Sequence, residues 1–170
     1  STYGFRVVLA PVLKTSDPVE SRWTFPLLAS LPPPPTQNYA LELSPQVRLE
    51  MLALPAGEFT MGSPPEEPRR HPLERQHRVK ISSDFWMGHC EVTQAQYEAV
   101  MGDNPSFYQE PGSNRPVDSV SWFAAMAFCT KLTALEQAAK RLPPGMAYRL
   151  PTLAEWEYAC RADGTTPSYL

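Results

Sequence analysis

The chain has 170 residues, a formal net charge of −3 and a pI of about 5.6, a balance that gives no broad basic surface for nucleic acid or an anionic membrane. Apolar residues make up 42% and charged residues 19%, which excludes a wholly disordered chain, and no apolar run approaches the roughly 18 residues of a membrane-spanning helix. We therefore expect no nucleic-acid partner, no membrane span, and one modest domain with an attached segment.

The first ten residues have the alternating pattern of a β-strand. Phe5, Val7 and Leu9 recur at every second position, and β-branched residues are frequent among their neighbours. Pro11 has no N–H group to offer a neighbouring strand. We predict one strand over residues 1–10 that ends at this proline.

Residues 11–46 are rich in proline and include the run Pro32 to Pro35. Proline disfavours both helix and sheet, and consecutive prolines favour polyproline II. We predict a semi-rigid linker. A proline-rich recognition ligand is the alternative, but the run lacks the basic flank that such ligands often carry.

The pattern from residue 47 onward is that of a globular domain. Apolar and polar residues alternate over 47–54, a Pro-Ala-Gly turn follows at 55–57, and 58–62 can return as the second strand of a hairpin. Further strands are predicted over 77–81 and 84–90.

Three helices are predicted from their caps. Thr93 with Gln96 forms a capping box, and Gly102 stands where a left-handed C-cap residue is expected. Ser121 is the expected N-cap of a second helix that extends to about Lys140.

Thr152 with Glu155 forms a second capping box, which begins the third helix. Trp156 and Cys160 are four residues apart, so they share a helix face and are expected to point into the core together, and Trp122 is expected to be a second core anchor. Because strands and helices cluster in sequence and do not alternate regularly, the predicted class is α+β.

The three cysteines are too few and too scattered for a disulfide framework. Cys129 and Cys160 lie within helical patterns, where a thiol usually behaves as a small buried apolar group, and this favours a reducing compartment. The sequence shows no secretory signal. His89 and Cys90 are neighbours on a predicted strand and are expected to point to opposite faces, which excludes a thiolate–imidazolium pair.

Other reactive constellations are also missing from the sequence. His71 and His77 flank a loop without the spacing of a zinc site. Glu155 and Glu157 are two apart on a helix and cannot share a proton. No glycine-rich phosphate loop, nucleophile elbow or His-Glu-x-x-His motif occurs. We expect no catalytic residue, no cofactor-binding residue and no metal ligand in this chain.

Four motifs occur in an order that one family shares. They are GEFTMGS at residues 57–63, EVTQAQY at 91–97, PVDSVSW at 116–122 and YRLPTLAEWEYACR at 148–161. In this order they resemble the N-terminal half of a sulfatase-modifying-factor domain, the family of the formylglycine-generating enzyme. The resemblance covers about residues 47–170.

The resemblance implies a C-type-lectin-like fold and a copper-dependent oxidation of a sulfatase cysteine to formylglycine by molecular oxygen. In the family, two active-site cysteines hold the copper, and calcium ligands brace the fold. Both sets belong to the C-terminal half, which this sequence does not include, so no catalytic residue is carried over and the activity is not expected of this fragment. The alternative is a non-catalytic binding or interaction module on the same scaffold. Either role implies a protein substrate or partner for the whole protein.

Residues 4–8, GFRVV, resemble the strand that closes domains of this family. The simplest arrangement has residues 1–10 as the end of a preceding copy, 11–46 as a linker and 47–170 as the N-terminal half of a second copy. A chance occurrence of this short string is the alternative. We expect the sequence to be a piece of a longer protein.

We assign an architectural role to seven motif residues: Glu91, Thr93, Trp122, Arg149, Thr152, Glu155 and Trp156. Thr152 and Glu155 are expected to cap each other's backbone N–H groups. Arg149 has apolar neighbours and is expected to pair with a carboxylate. The candidates are Glu91, Glu155 and Glu157, and the alternative role for this arginine is a substrate clamp.

Overall fold

The computed structural model describes residues 4–12, 37–68, 70–109 and 113–161. These residues form seven strands and three helices. In chain order the elements are β1 (Val8–Pro11), β2 (Tyr39–Ser44), β3 (Val47–Leu54), β4 (Gly57–Met61), β5 (His77–Ile81), β6 (Phe85–Gly88), α1 (Gln94–Met101), α2 (Trp122–Ala138), β7 (Met146–Arg149) and α3 (Leu153–Arg161). The predicted α+β class is confirmed.

Five of the strands form one antiparallel sheet in the order β2-β3-β6-β1-β7, and β4 pairs with β5 in a separate two-stranded sheet. Strand β1 lies between β6 and β7, with Val8 opposite Met87 on one side and Arg149 on the other. The first strand of the chain is therefore an interior strand of the main sheet.

Strand β1 is buried on both faces, because its side chains alternate between two cores. Val7 and Leu9 belong to the core shared with α1 and α2, and Val8 and Ala10 belong to the core shared with β4, β5 and α3. In the core shared with α1 and α2, the Phe128 ring stacks on Tyr97 of α1 and makes an edge-to-face contact with Phe5. The main sheet thus lies between two apolar layers.

The sheet curls toward the side that carries α1 and α2. Tyr39 and Tyr148 stand on its two outermost strands, yet their hydroxyl oxygens are 3.1 Å apart. With neighbouring strands about 4.8 Å apart, a flat five-stranded sheet would separate these strands by roughly 19 Å. Both rings pack against the core shared with α1 and α2, which we call the helix-side core. The curl of the sheet therefore covers the edges of this core.

The predicted caps of the first two helices are confirmed. Thr93 Oγ1 accepts a hydrogen bond from Gln96 N at 3.2 Å while Gln96 Oε1 accepts from Thr93 N at 2.9 Å, and Gly102 ends the helix with φ of 90°. Ser121 Oγ accepts from Ala124 N. Across the described ranges, no helix combines the length and the apolarity that crossing a bilayer requires.

The predicted hairpin between residues 47–54 and 58–62 is wrong. Strand β3 pairs with β2 and β6, whereas β4 pairs with β5. The connection at residues 55–57 does not fold back as a tight turn, because Ala56 N donates to the side chain of Asp84. The two strands thereby enter different sheets.

Strand β2 occupies residues for which a linker is predicted. Its side chains at Leu41 and Leu43 pack on the helix-side core, and this burial outweighs the nearby prolines. The proline run at 32–35 lies outside the described residues.

Candidate functional site

A buried ion pair joins the end of β7 to the first turn of α3. Arg149 Nη1 lies 2.7 Å from Glu155 Oε2, and Nη2 lies 2.6 Å from Oε1. The two side chains are only 15% and 11% exposed. The carboxylate partner of this arginine is Glu155, one of the three that the sequence offered. Such a two-point contact fixes the relative orientation of the guanidinium and the carboxylate as well as the distance between them.

The same carboxylate caps α3. Thr152 N donates to Glu155 Oε2 at 2.8 Å, and Glu155 N donates to Thr152 Oγ1 at 3.2 Å. Burial alone disfavours the charged form of Glu155, but the bonds from Arg149 and Thr152 and the guanidinium charge outweigh burial, so its pKa lies below the usual value. The carboxylate therefore stays ionised and structural.

Both Nη atoms of Arg149 are engaged by groups of the protein itself. Nη1 also donates to the Leu150 carbonyl oxygen at 3.1 Å, and Nε is buried without a hydrogen-bond partner among the described residues. Arg149 and Glu155 both line a cavity of about 360 Å³, together with residues 10–12 at the end of β1. These contacts favour the structural role of the arginine over the clamp.

A larger cavity, which we call the tryptophan cavity, opens beside this junction. Its volume is about 710 Å³. Its lining comes from the segment before β1, the loop before α1, the start of α2, the connection between β7 and α3, and one face of α3: Gly4, Phe5, Arg6, Glu91, Trp122, Leu150, Pro151, Trp156, Ala159 and Cys160.

The prediction that Trp122 and Trp156 are core anchors is wrong. They are 62% and 49% exposed, and Cys160 is exposed as well. Helical spacing correctly places Trp156 and Cys160 on one face, but this face lines the tryptophan cavity and is not covered by another described element. The core contacts of α3 come instead from its other face, through Ala154 and Tyr158.

Polar contacts hold α3 against the small sheet. Glu157 Oε1 accepts from Gly62 N and from Arg161 Nε, both at 2.8 Å, and Arg161 Nη2 donates to the Gly62 carbonyl oxygen at 2.9 Å. Tyr158 donates its hydroxyl proton to the Pro55 carbonyl oxygen at 3.1 Å. These contacts hold the middle and the C-terminal end of α3, the helix that carries Trp156, against the small sheet and the residues just before it.

The three cysteines lie in three different environments. Cys129 is fully buried in the helix-side core, and burial raises the pKa of its thiol to about 12. Cys160 lines the tryptophan cavity. Cys90 is exposed, and its Sγ lies 3.6 Å from His89 Nδ1.

That last contact corrects a sequence expectation. Strand β6 ends at Gly88, so His89 and Cys90 stand in a bend and the alternation of a strand does not separate them. His89 Nδ1 also lies 3.6 Å from Glu50 Oε2. One ring nitrogen therefore faces both the thiol and the carboxylate, whereas a catalytic relay uses the two ring nitrogens separately.

The described residues do not fit a copper or calcium centre. Within residues 4–12, 37–68, 70–109 and 113–161, no group of three His, Cys, Asp or Glu side chains is arranged to hold a metal ion. Copper(I) selects thiolate ligands and calcium selects clustered oxygens. Cys129, the one fully buried thiol in these ranges, stays protonated in an apolar core.

Comparison with known proteins agrees with this architecture. The family model of the sulfatase-modifying factor enzyme 1-like domain matches residues 40–170, and the chain belongs to this family. The chaperone protein LppX of Paenibacillus barcinonensis is 36% identical over 102 residues, covering 45% of this chain and 36% of that protein. The formylglycine-generating enzyme of Mus musculus is 35% identical over 85 residues, covering 50% of this chain and 18% of that enzyme.

Two solved structures share the fold. Treponema denticola variable protein 1 has a TM-score of 0.60 at 26% identity, covering 76% of this chain and 58% of that chain. PvdO from Pseudomonas aeruginosa has a TM-score of 0.58 at 24% identity, covering 76% of this chain and 53% of that chain. The fold is the C-type-lectin-like fold of the formylglycine-generating enzyme family, and the chain spans little more than half of these two structures.

Proposed function

We propose that this chain supplies the scaffold part of a formylglycine-generating-enzyme-like domain and does not itself carry out the oxidation. In the family, that reaction turns a sulfatase cysteine into formylglycine with copper held by two cysteines. The observation that carries the proposal is the lining of the tryptophan cavity, which includes a single thiol, that of Cys160. The paired thiols and the calcium ligands would come from the remainder of the domain.

The positions of the other two thiols support this assignment. Cys129 packs in the core beneath the sheet, and Cys90 stands in the bend after β6. A thiolate is the form that binds metal and reacts, and the buried Cys129 is held in the thiol form.

A direct assay tests the proposal. The 170-residue chain is incubated with a sulfatase-derived cysteine peptide, copper(I), air and a thiol reductant, and the peptide mass is measured. A formylglycine-generating enzyme serves as the positive control under the same conditions. We expect an unchanged peptide with this chain, and conversion of the peptide to the aldehyde would overturn the proposal.

A second candidate function is a non-catalytic interaction module, which the exposed aromatic surface favours. Trp122 and Trp156 are large apolar side chains left open beside one cavity, and tryptophan is enriched in protein–protein contacts. Reading the sequence beyond Leu170 in the longer protein separates the two candidates. Two closely spaced cysteines in the closing segment would support a domain that is catalytic when complete, and their absence would leave the interaction module.

A further inference from the structure

The smaller cavity, which has a volume of about 360 Å³, combines apolar and polar side chains in its lining. It lies where the ends of β1 and β5 and the turn between β5 and β6 meet the start of α3. Its volume is at the lower end of the roughly 300–1,000 Å³ of small-molecule sites. The apolar groups include Ala10, Val79, Ile81, Phe85 and Ala154. A lining of this size and composition suits a small molecule with an apolar body.

The polar part of this lining offers hydrogen-bond donors and no free carboxylate. Glu155 is the only acidic residue among the described residues of the lining, and its two oxygens are taken by the guanidinium of Arg149 and by the cap of α3. The side chains of Lys80, Ser82 and Ser83 have no hydrogen-bond or ion-pair partner in the part of the chain that the structure describes. The cavity therefore presents an ammonium group and two hydroxyl groups that the fold does not use.

The charges of the cavity leave one positive charge without a counter-charge. The guanidinium of Arg149 is balanced by Glu155, and Arg78, the other cation of β5, pairs with Glu58. Lys80 belongs to the same strand and has no such partner among the described residues. The Nε atom of Arg149 is also buried without an acceptor in these ranges, so acceptors and not donors are what this lining lacks.

We propose that this cavity binds a small monocarboxylic acid with an apolar body. The carboxylate accepts hydrogen bonds from the ammonium of Lys80 and from the hydroxyl groups of Ser82 and Ser83, and such charge-assisted bonds are the stronger kind. The apolar body packs against Val79 and Phe85. A cationic ligand would find no free carboxylate in the lining, and a phosphate ion would leave the apolar side chains uncovered. The tryptophan cavity takes no part in this site, so the proposal does not depend on the proposed function.

The first test compares three probes on the 170-residue chain: phenylacetate, phenylacetamide and inorganic phosphate. Amide chemical shifts are followed by NMR during titration with each probe. We expect saturable binding of phenylacetate at millimolar concentrations, with shifts confined to the lining of the smaller cavity, and no saturable binding of phosphate there. Phenylacetamide has the same body without the charge and is expected to bind about tenfold more weakly. No saturable binding of phenylacetate, or binding of either other probe as tightly as phenylacetate, would overturn the proposal.

The second test removes the unpaired charge. Because Lys80 is exposed and makes no described ion pair, we expect Lys80→Gln to fold as the native chain does. It should bind phenylacetate about tenfold more weakly and leave the affinity for phenylacetamide unchanged. The matched control is Lys131→Gln on α2, which makes the same change of charge at a residue that does not line the cavity. Equal losses in the two variants would show a response to net charge alone and would contradict the assigned site.

Discussion

Arg149 and Glu155 join the last described strand to the last described helix through two ion-pair contacts of 2.7 and 2.6 Å. The pair lines the smaller cavity, and the same carboxylate caps α3 through Thr152. One buried charge pair thus links the start of the helix to the end of β7. Removing one partner would leave the other charge buried and unbalanced.

We expect Glu155→Gln to lower the free energy of unfolding by about 3 kcal/mol, because a buried guanidinium loses its counter-charge. Urea denaturation followed by circular dichroism measures the change. The matched control is Glu58→Gln, which breaks an exposed pair with Arg78 and is expected to cost less than about 1 kcal/mol. Equal losses in the two variants would show that the pair at the start of α3 has no special role.

The same pair predicts a dependence on acid. The pKa of Glu155 is lowered in the folded state, so its contribution to stability is complete above the unfolded pKa of about 4.3 and is lost as pH falls through the folded value. The difference in unfolding free energy between the native chain and Glu155→Gln should therefore shrink from neutral pH to about pH 3. An unchanged difference at both pH values would contradict the assigned shift.

The tryptophans of the cavity should matter little for stability. Because Trp122 is 62% exposed and Trp156 is half-exposed, replacing either with alanine is expected to cost far less than truncating a fully buried aromatic side chain. Phe128 is fully buried, and Phe128→Ala is expected to cost roughly 3–5 kcal/mol. Thermal and urea unfolding of the three variants compare these effects, and a large loss in the tryptophan variants would restore the view that they are core residues.

The cysteines should differ sharply in reactivity. Cys90 and Cys160 are exposed, whereas Cys129 is buried and the pKa of its thiol is raised to about 12. Because alkylation proceeds through the thiolate, iodoacetamide at mildly alkaline pH should modify the first two in the folded chain and Cys129 only after urea unfolding. Peptide mass spectrometry locates the label, and rapid native labelling of Cys129 would mean that the helix-side core is open.

The tyrosine pair predicts a loss of stability in alkali. Burial raises the pKa of Tyr148 to about 12, and burial with the neighbouring Tyr148 raises the pKa of Tyr39 as well. A raised acid pKa gives stability that is complete below the unfolded value of about 10 and is lost above it. Urea midpoints should therefore fall above about pH 10.

The matched variants for this loss are Tyr39→Phe and Tyr108→Phe. The first removes one of the two buried phenols, so its stability should fall less steeply above about pH 10. Tyr108 is 72% exposed, and its replacement should leave the alkaline loss as it is in the native chain. Identical profiles for all three chains would rule out the tyrosine pair as the source.

Local features of the fold could be predicted from the sequence, because the groups involved are three or four residues apart. The caps at Thr93, Ser121 and Thr152 are all of this kind. For Arg149 the sequence offered three candidate carboxylates, and the one that it contacts, Glu155, lies in the first turn of the helix that follows its strand. Each of the three caps follows from local chain geometry alone.

Sheet order and exposure could not be predicted in the same way. The hairpin expected after Leu54 does not form because β3 pairs with β2, the strand just before it, and with β6, which is distant in sequence. Periodicity correctly put Trp156 and Cys160 on one face, but it cannot say whether that face is covered. The contact between His89 and Cys90 was missed because it depends on where β6 ends.

The interior position of β1 matters most, because this strand completes the sheet and lines the smaller cavity, and the residues just before it line the tryptophan cavity. Amide hydrogen exchange of the full chain, read residue by residue by NMR, tests that position directly. An interior strand predicts that the hydrogen-bonded amides of Val8, Leu9 and Ala10 exchange as slowly as those of β6, since both open only with the core. Exchange of all of those β1 amides at the rate of an unstructured chain, while β6 stays protected, would contradict it.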